Sequence, residues 1–342
     1  MKLIIYTRRG FDIEIIKFNE NHLEYVSELF IKNYVKAREN QNILPVKYED
    51  KNNIFPLLYD LHKKSIGIVA VDNNEIIGYL IGLPISNFKG SQRGIYCPEW
   101  SHAVICNDKS EVYQKLYEEA SNIWVQNGCI NHAISIMAHD DEVMNILSWN
   151  GFGLHVVDAV RDLNFLSGNI NNDIEIRQFN KDDIEEVVHL FFEYKKYMAS
   201  SPIYLPMMHA ENAEDINQWL ENPNNTLWLA VNKGNIISMM EVSYKKSNDA
   251  QILSDNDTVS IGITYTKDNF RGQGITKALL QNVIKEASLI GYKRCAVVFE
   301  SQNSSGRNFW LKYFKPVCYS MVRKVDDRIT WANPGRSIQD ML

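Results

Sequence analysis

Apolar positions in the second half of the chain alternate first and then recur at helical spacing. Residues 174–177 alternate as a short strand, and Ile184, Val187, Val188 and Phe191 follow three or four residues apart, predicting an amphipathic helix with Asp182 or Asp183 as its N-cap. Two strands come next, over 227–231 and 235–244, around Lys233-Gly234-Asn235, a composition suited to a hairpin turn. A further strand is predicted over 259–265, then a glycine-rich loop, a helix from about 276 to 290 and a strand over 294–300. Ile275, Ala278, Leu279, Val283, Ala287 and Ile290 give that helix one apolar face, and Gly291 is placed to end it. The strand, helix, strand order predicts a parallel pair joined by a right-handed crossover.

The same order appears in the first half, and the sequence repeats with it. Residues 13–30 (IEIIKFNENHLEYVSELF) align without gaps against residues 174–191 (IEIRQFNKDDIEEVVHLF), with nine of eighteen positions identical. A second echo falls at nearly the same offset: AVDNNEII over 70–77 and AVNKGNII over 230–237. A period near 160 residues is too long for a solenoid unit and fits two copies of one domain in tandem. The polar stretch 167–173, SGNINND, reads as the linker.

Composition fits that division. A chain of 342 residues is long enough for two domains at roughly 150 residues each, and 45% apolar with 23% charged residues is an ordinary globular mixture. Thirty-six basic residues against 42 acidic ones leave a net charge of −6, so no global basic footprint points to nucleic acid or to an anionic membrane surface. Apolar runs such as 66–71 and 76–83 are far shorter than a bilayer span. The N-terminus carries Arg8 and Arg9 after its short apolar run, the reverse of a signal peptide, and a cytoplasmic location is expected. Cys97, Cys106, Cys129, Cys295 and Cys318 are scattered and odd in number, without CxxC, and the eight histidines lack metal-site spacing. Neither a disulfide framework nor a metal site is expected.

The chemistry-bearing motif is Asn269-Phe270-Arg271-Gly272-Gln273-Gly274-Ile275-Thr276, between a predicted strand and a predicted helix. A glycine turn feeding a helix start aims backbone N–H groups at one spot, a ready site for phosphate oxygens. It is neither a dinucleotide loop, since Lys277 occupies the third glycine's place in GxGxxG, nor a P-loop, since GxxxxGK[ST] is absent. Downstream lie Glu300-Ser301-Gln302-Asn303 and the segment 307–317, RNFWLKYFKPV.

Taken together, residues 174 to about 328 resemble the GNAT N-acyltransferase superfamily, whose [QR]xxGx[GA] signature cradles the pyrophosphate of acetyl-coenzyme A. Gly272 and Gly274 match the signature, as does Arg271, while Asn269 stands where Gln or Arg is commoner. The resemblance implies an α/β (α+β) fold: two tandem GNAT-fold domains, each with a mixed, mostly antiparallel central sheet, a parallel splayed strand pair and flanking helices. It also implies that Thr264, Tyr265 and Thr266 offer backbone groups to the pantetheine arm. Arg271, Gly272, Gln273, Gly274, Ile275 and Thr276 would hold the pyrophosphate, with Asn303 near the cofactor. The reaction would be direct attack of an amine on the thioester, which needs a base, an oxyanion donor and an acid near the thiolate.

The family's usual tyrosine acid should fall seven residues after Asn303, and that position is Trp310, whose indole donates no useful proton. Tyr313, one turn later, and Tyr319, on the following strand, are the alternative phenols. For the base the leading carboxylates are Glu241, which interrupts an apolar run, and Glu300, at the end of its strand. Acceptor specificity is expected over 194–219, an irregular stretch holding Tyr194, Tyr197, Met198, Tyr204, Met207, Met208 and His209. In the first half, Cys106-Asn107-Asp108-Lys109-Ser110 has no glycine at the corresponding turn, and Asp108 and Glu111 would repel a phosphate. The expected division is therefore a degenerate copy over 1–166, a linker over 167–173, an acetyl-CoA-dependent domain over 174–330 and a tail over 331–342. The implied partner is a small-molecule amine, with no nucleic acid or membrane, for a monomer or homodimer. The competing reading is a non-catalytic acyl-CoA-binding or regulatory module, prompted by Trp310.

Overall fold

The computed structural model describes residues 5–8, 11–90, 92–166, 174–207, 212–245 and 249–329. The expected linker over 167–173, the tail over 331–342, and Met208 and His209 lie outside them. In chain order the first half holds β1 (Ile5–Arg8), β2 (Phe11–Lys17), α1 (Leu23–Asn40), α2 (Lys51–His62), β3 (Ile66–Asp72), β4 (Glu75–Ile85), β5 (Gly94–Cys97) and β6 (His102–Val104). These are followed by α3 (Lys109–Gln126), β7 (Asn131–Met137), α4 (Asp141–Trp149) and β8 (Gly153–Asp162). The second half holds β9 (Ile174–Gln178), α5 (Ile184–Ala199), α6 (Ala213–Glu221), β10 (Asn225–Asn232), β11 (Asn235–Ser243) and β12 (Thr258–Thr266). It continues with α7 (Ile275–Ile290), β13 (Arg294–Glu300), α8 (Ser304–Tyr313) and β14 (Lys315–Lys324). No helix among the described residues is long and apolar enough to cross a membrane.

The chain divides into two compact units, one of residues 1–157, 250–252 and 317–342, the other of residues 158–249 and 253–316. In the first unit β1 to β4 run antiparallel, β4 pairs with both β5 and β6, β5 lies parallel to β7, and β7 pairs antiparallel with β14. Its core joins Ile13, Leu80, Leu116, Trp124, Ile134 and Met321, so the chain's last strand helps close the sheet that its first strands begin. The three residues 250–252 also belong here: the Ile252 N–H donates to the buried Glu99 carboxylate at 2.9 Å.

In the second unit β9, β10, β11 and β12 form an antiparallel run, and β12 lies parallel to β13 across the α7 connection. Val187, Leu190, Leu229, Met239 and Tyr265 share one core, placing the predicted face of α5 against the sheet. This is the mixed, mostly antiparallel sheet with a parallel pair that the resemblance implies. The repeated sequence builds repeated local structure. Asn19 Oδ1 accepts the Asn21 N–H and Asn180 Oδ1 accepts the Asp182 N–H, both at 3.0 Å, and each Asn closes a capping box on a short 3₁₀ turn ahead of α1 or α5. Asp183 stands at the N-cap position of α5, one of the two expected residues, but makes no side-chain cap bond there; Asn180 caps the preceding 3₁₀ turn. Asp183 returns a carboxylate oxygen to the Asn180 N–H at 2.8 Å and takes the Arg177 guanidinium at 2.6 and 2.7 Å, which holds it below the usual carboxylate range. The second echo gives two hairpins, each with a register shift at its Ala-Val pair and two left-handed residues at its tip.

One expected loop is partly helical. Within 194–219, Asn212 caps α6 by accepting the Glu214 and Asp215 N–H groups at 2.8 and 3.0 Å, and Ile216, Trp219 and Leu220 pack on the core.

Candidate functional site: a cleft between splayed strands

β12 and β13 separate partway along their length. Their pairing runs from Thr258 opposite Arg294 to Ile261 opposite Val297, so the remaining edges, residues 262–266 and 298–300, face each other across a cleft. The parting coincides with a bulge on β12: Met240 pairs with Thr264 and Val242 with Ile261, leaving Glu241 opposite both Gly262 and Ile263. Glu241 Oε2 accepts the Ile263 N–H at 2.9 Å, and a Cβ on Gly262 would stand 2.7 Å from that oxygen, so a larger residue there would make the Glu241 carboxylate shift.

At the cleft's end the chain turns into α7. Gly272 and Gly274 have φ of 75° and 82°, left-handed values that a Cβ disfavours. Gly274 is the N-cap of α7 and no side chain caps the helix; its first internal bond runs from the Ala278 N–H to Gly274 O at 3.0 Å. The Ile275 and Thr276 N–H groups thus lie ahead of the hydrogen-bonded turns, at the positive end of the helix dipole. The turn is braced from below. Ser238 Oγ donates to Tyr265 O at 2.8 Å and meets Thr266 Oγ1 at 2.7 Å, which in turn meets Thr276 Oγ1 at 3.0 Å. Arg271 braces it from the side, donating from Nε to Thr266 O at 3.0 Å and pairing with Asp268 at 2.8 Å.

A cavity of about 400 Å³ fills this region. Every residue expected at the cofactor lines it except Gln273, which is exposed and donates back to Asn269 O at 3.0 Å. Asn303 caps α8, its Oδ1 accepting the Gly306 N–H at 3.0 Å and the Tyr197 hydroxyl at 2.7 Å. Tyr197 also lies under the Arg271 guanidinium, 4.3 Å from ring centre to Cζ, so one side chain links α5, the glycine loop and the start of α8. Burial pushes the Tyr197 phenol up against the opposing pull of Arg271, and carries Tyr265 up to about 12. The sequence placed Tyr197 among acceptor residues; only its membership of an aromatic group hinted at a part in the cleft.

Of the two candidate phenols, Tyr313 lines this cavity. Tyr319 stands opposite Ile136 on β14, packed against the core of the first unit, and does not line the cavity. Trp310 is buried and lines both this cavity and a second one of about 550 Å³, which share Thr264 and Asn303 as well. Glu241 and Glu300 both line the second cavity, together with Asp249, which the sequence did not single out. From the expected acceptor segment, Tyr194, Met198, Met207 and Trp219 line it, whereas Tyr204 is exposed.

The corresponding helix start in the first unit is built differently. The Ser110 N–H and hydroxyl both donate to Glu142 Oε1, at 2.9 and 2.6 Å, and Lys109 is ion-paired with the buried Asp140. A carboxylate of the protein itself occupies the anion position of α3.

Comparisons with known proteins agree with this geometry. Residues 187–314 match the model of the acetyltransferase (GNAT) family, and the second unit therefore carries a GNAT domain. A GCN5-related N-acetyltransferase from Sphaerobacter thermophilus superposes with a TM-score of 0.58 at 12% identity, over 91% of this chain and 95% of that one. A GCN5-related glucosamine N-acetyltransferase region of a fungal multi-domain GH3 β-N-acetylglucosaminidase gives 0.55 at 12% identity, over 92% of this chain and 38% of that one. At these identities the likeness is one of fold, and it extends over both halves. No curated protein matches the sequence.

Proposed function

We propose that the GNAT domain makes this chain an N-acetyltransferase, moving an acetyl or other short acyl group from acetyl-CoA to the amine of a small molecule. The observation that carries the reading is the cleft itself: two parted strands end at an uncapped helix start and open on a second cavity. The free strand edge at Thr264, Tyr265 and Thr266 suits the amide groups of a pantetheine arm. The loop from Arg271 to Thr276 suits a pyrophosphate, with backbone N–H groups as donors and Arg271 bracing the turn.

Both cavities meet at Thr264, Asn303 and Trp310, and the transfer is assigned to that junction. Glu241 or Glu300 takes the proton that the incoming ammonium must lose. The neutral nitrogen then attacks the thioester carbon, the C–N bond forms, the C–S bond breaks, the departing sulfur takes a proton from Tyr313, and the surplus proton on the new amide nitrogen is released to restore the phenol. Trp310 excludes water from the junction. The first unit is read as a degenerate copy, because Glu142 already satisfies its helix start and Lys109 is held by Asp140. None of the five cysteines is in a disulfide, which fits a cytoplasmic enzyme.

Calorimetry with acetyl-CoA tests the cofactor site. One molecule is expected to bind per chain, and Gly272→Asp or Gly274→Asp is expected to weaken binding more than about tenfold, since a carboxylate would stand where the pyrophosphate charge belongs. Unchanged affinity in both variants refutes the assignment of the loop. Binding without thiol release on any amine would make the protein an acyl-CoA-binding module instead.

A further inference from the structure

We infer that Glu241 is a positioning residue, a clasp that fixes the register of β12 where it parts from β13, rather than the group that takes the acceptor's proton. The inference rests on the reading of the cleft as the acetyl-CoA site, and it leaves proton removal to Glu300, the other expected carboxylate at the second cavity.

A bulge takes a backbone group out of the ladder. β11 and β12 pair as Met240 with Thr264 and Val242 with Ile261, so Gly262 and Ile263 together stand opposite Glu241. The Ile263 N–H is met by the side chain from that opposing position, Glu241 Oε2 accepting it at 2.9 Å. A carboxylate acceptor makes this bond stronger than one between two neutral backbone groups. Gly262 is fitted to the same bond. A Cβ there would stand 2.7 Å from Glu241 Oε2, 3.1 Å from its Cβ and 3.7 Å from its Cδ, and these are its three nearest neighbours. The Glu241 side chain therefore lies across Gly262 to reach the next amide, a path that a side chain at 262 would obstruct. Bulge, glycine and carboxylate form one unit, placed where the parallel pairing of β12 with β13 stops, at Ile261 opposite Val297.

What the clasp holds is register. Removing the bulge by a one-residue slip would set Met240 against Ile263 and turn the side chains beyond it to the opposite face. Ser238 would then face Tyr265, and the bridge from Ser238 Oγ through Thr266 Oγ1 to Thr276 Oγ1 at the start of α7 would be lost. Glu241 itself does not line the cavity proposed for acetyl-CoA. Its effect on that cavity passes through the strand edge at Thr264, Tyr265 and Thr266 and through the glycine turn beyond. A base would act on the acceptor's proton alone, whereas a clasp acts on acetyl-CoA binding.

The test compares Glu241→Gln, Glu241→Ala and Gly262→Ala with the unaltered full chain. The Gln side-chain oxygen can still accept the Ile263 N–H, the Ala side chain cannot, and the methyl added in Gly262→Ala displaces the carboxylate. In the free protein, hydrogen exchange at the Ile263 amide is expected to stay within about threefold of the parent in Glu241→Gln and to quicken by at least about tenfold in the other two, with β9 and β10 unchanged. By calorimetry, acetyl-CoA affinity is expected to hold within about twofold in Glu241→Gln and to weaken by roughly five- to twentyfold in the other two. The double variant Glu241→Ala with Gly262→Ala is expected to bind within about twofold of the weaker single variant, since both changes remove one clasp. Equal acetyl-CoA affinity in the parent and all variants is the result for a carboxylate that acts only on the acceptor, and it overturns the inference. Equal weakening by Glu241→Gln and Glu241→Ala overturns it too, as does unchanged exchange at Ile263 in Glu241→Ala. Should Glu241→Ala fold poorly, seen as faster exchange in β9 and β10, the contrast between Glu241→Gln and Gly262→Ala decides. If the unaltered protein binds no acetyl-CoA, the reading of the cleft falls and the exchange measurement decides the clasp by itself.

Discussion

Tyr197 shows how much one side chain can carry without being a reacting group. Its hydroxyl reaches Asn303 at 2.7 Å while its ring lies under Arg271, and both of those residues also line the cavity proposed for acetyl-CoA. Tyr197→Phe keeps the ring and removes the hydrogen bond, a loss of about 1 kcal/mol in positioning. The expected outcome is a roughly fivefold weaker acetyl-CoA affinity by calorimetry, with kcat within about twofold of the parent. Leu in place of Tyr197 removes the stacking on Arg271 as well and is expected to weaken binding further. The glycines of the loop were legible in the sequence because they are forced by local backbone conformation. Tyr197 was not, because its partners stand 74 and 106 positions away along the chain, and nothing local marks such a contact. Asp249 escaped notice for the same reason: it sits in a connection, and only the fold brings it to the wall that holds Glu241 and Glu300.

At the scale of elements the repeat proved to be a repeat of punctuation. The shared Asn19 and Asn180 fix the entry to α1 and α5, and the shared Ala-Val pairs fix the register shifts of two hairpins. Asn19→Ala and Asn180→Ala are each expected to cost about 1 kcal/mol of stability, read as a lower urea midpoint, with acetyl-CoA affinity unaffected. Element type followed from periodicity in β9 to β13, α5 and α7, where one face of each is buried and the pattern is strong. α6 was hidden because it is short and only its Asn212 capping box and the Ile216, Trp219 and Leu220 face announce it, inside a stretch dominated by aromatic and Met residues. The contrast on which the proposed function rests is also one of elements: α7 begins on glycines with no side-chain cap, whereas the start of α3 is met by Glu142. The sequence revealed the missing glycines at α3, but the carboxylate that meets the Ser110 N–H there comes from α4, 32 positions on.

At the scale of the molecule the two units differ in how they meet acid. The first unit buries two histidines in the same arrangement. His102 Nε2 lies 2.7 Å from Ser135 O and its Nδ1 2.9 Å from the Tyr113 hydroxyl; His132 Nε2 lies 3.1 Å from Cys129 O and its Nδ1 2.9 Å from the Tyr117 hydroxyl. A carbonyl only accepts, so in each ring Nε2 carries the proton and Nδ1 accepts from the tyrosine. Burial then pushes both rings down to about 4. Their unfolded values lie near 6.5, so between those limits the unfolded chain binds more protons and stability falls as pH falls. The loss approaches about 3 kcal/mol per ring at the acid end. Glu99 works against it, since burial raises its carboxyl and that contribution fades as pH rises instead. In the second unit the described histidine, His189, is exposed on α5 with Glu193 at 3.3 Å, and no comparable buried ring is found among its described residues. Hydrogen exchange measured at pH 7 and pH 5, corrected for intrinsic rates, is therefore expected to show protection falling in α3 and β7 while α7 and β12 hold theirs. His102→Gln should flatten the dependence in the first unit alone; an equal decline in both units would show that the histidines do not set the acid response.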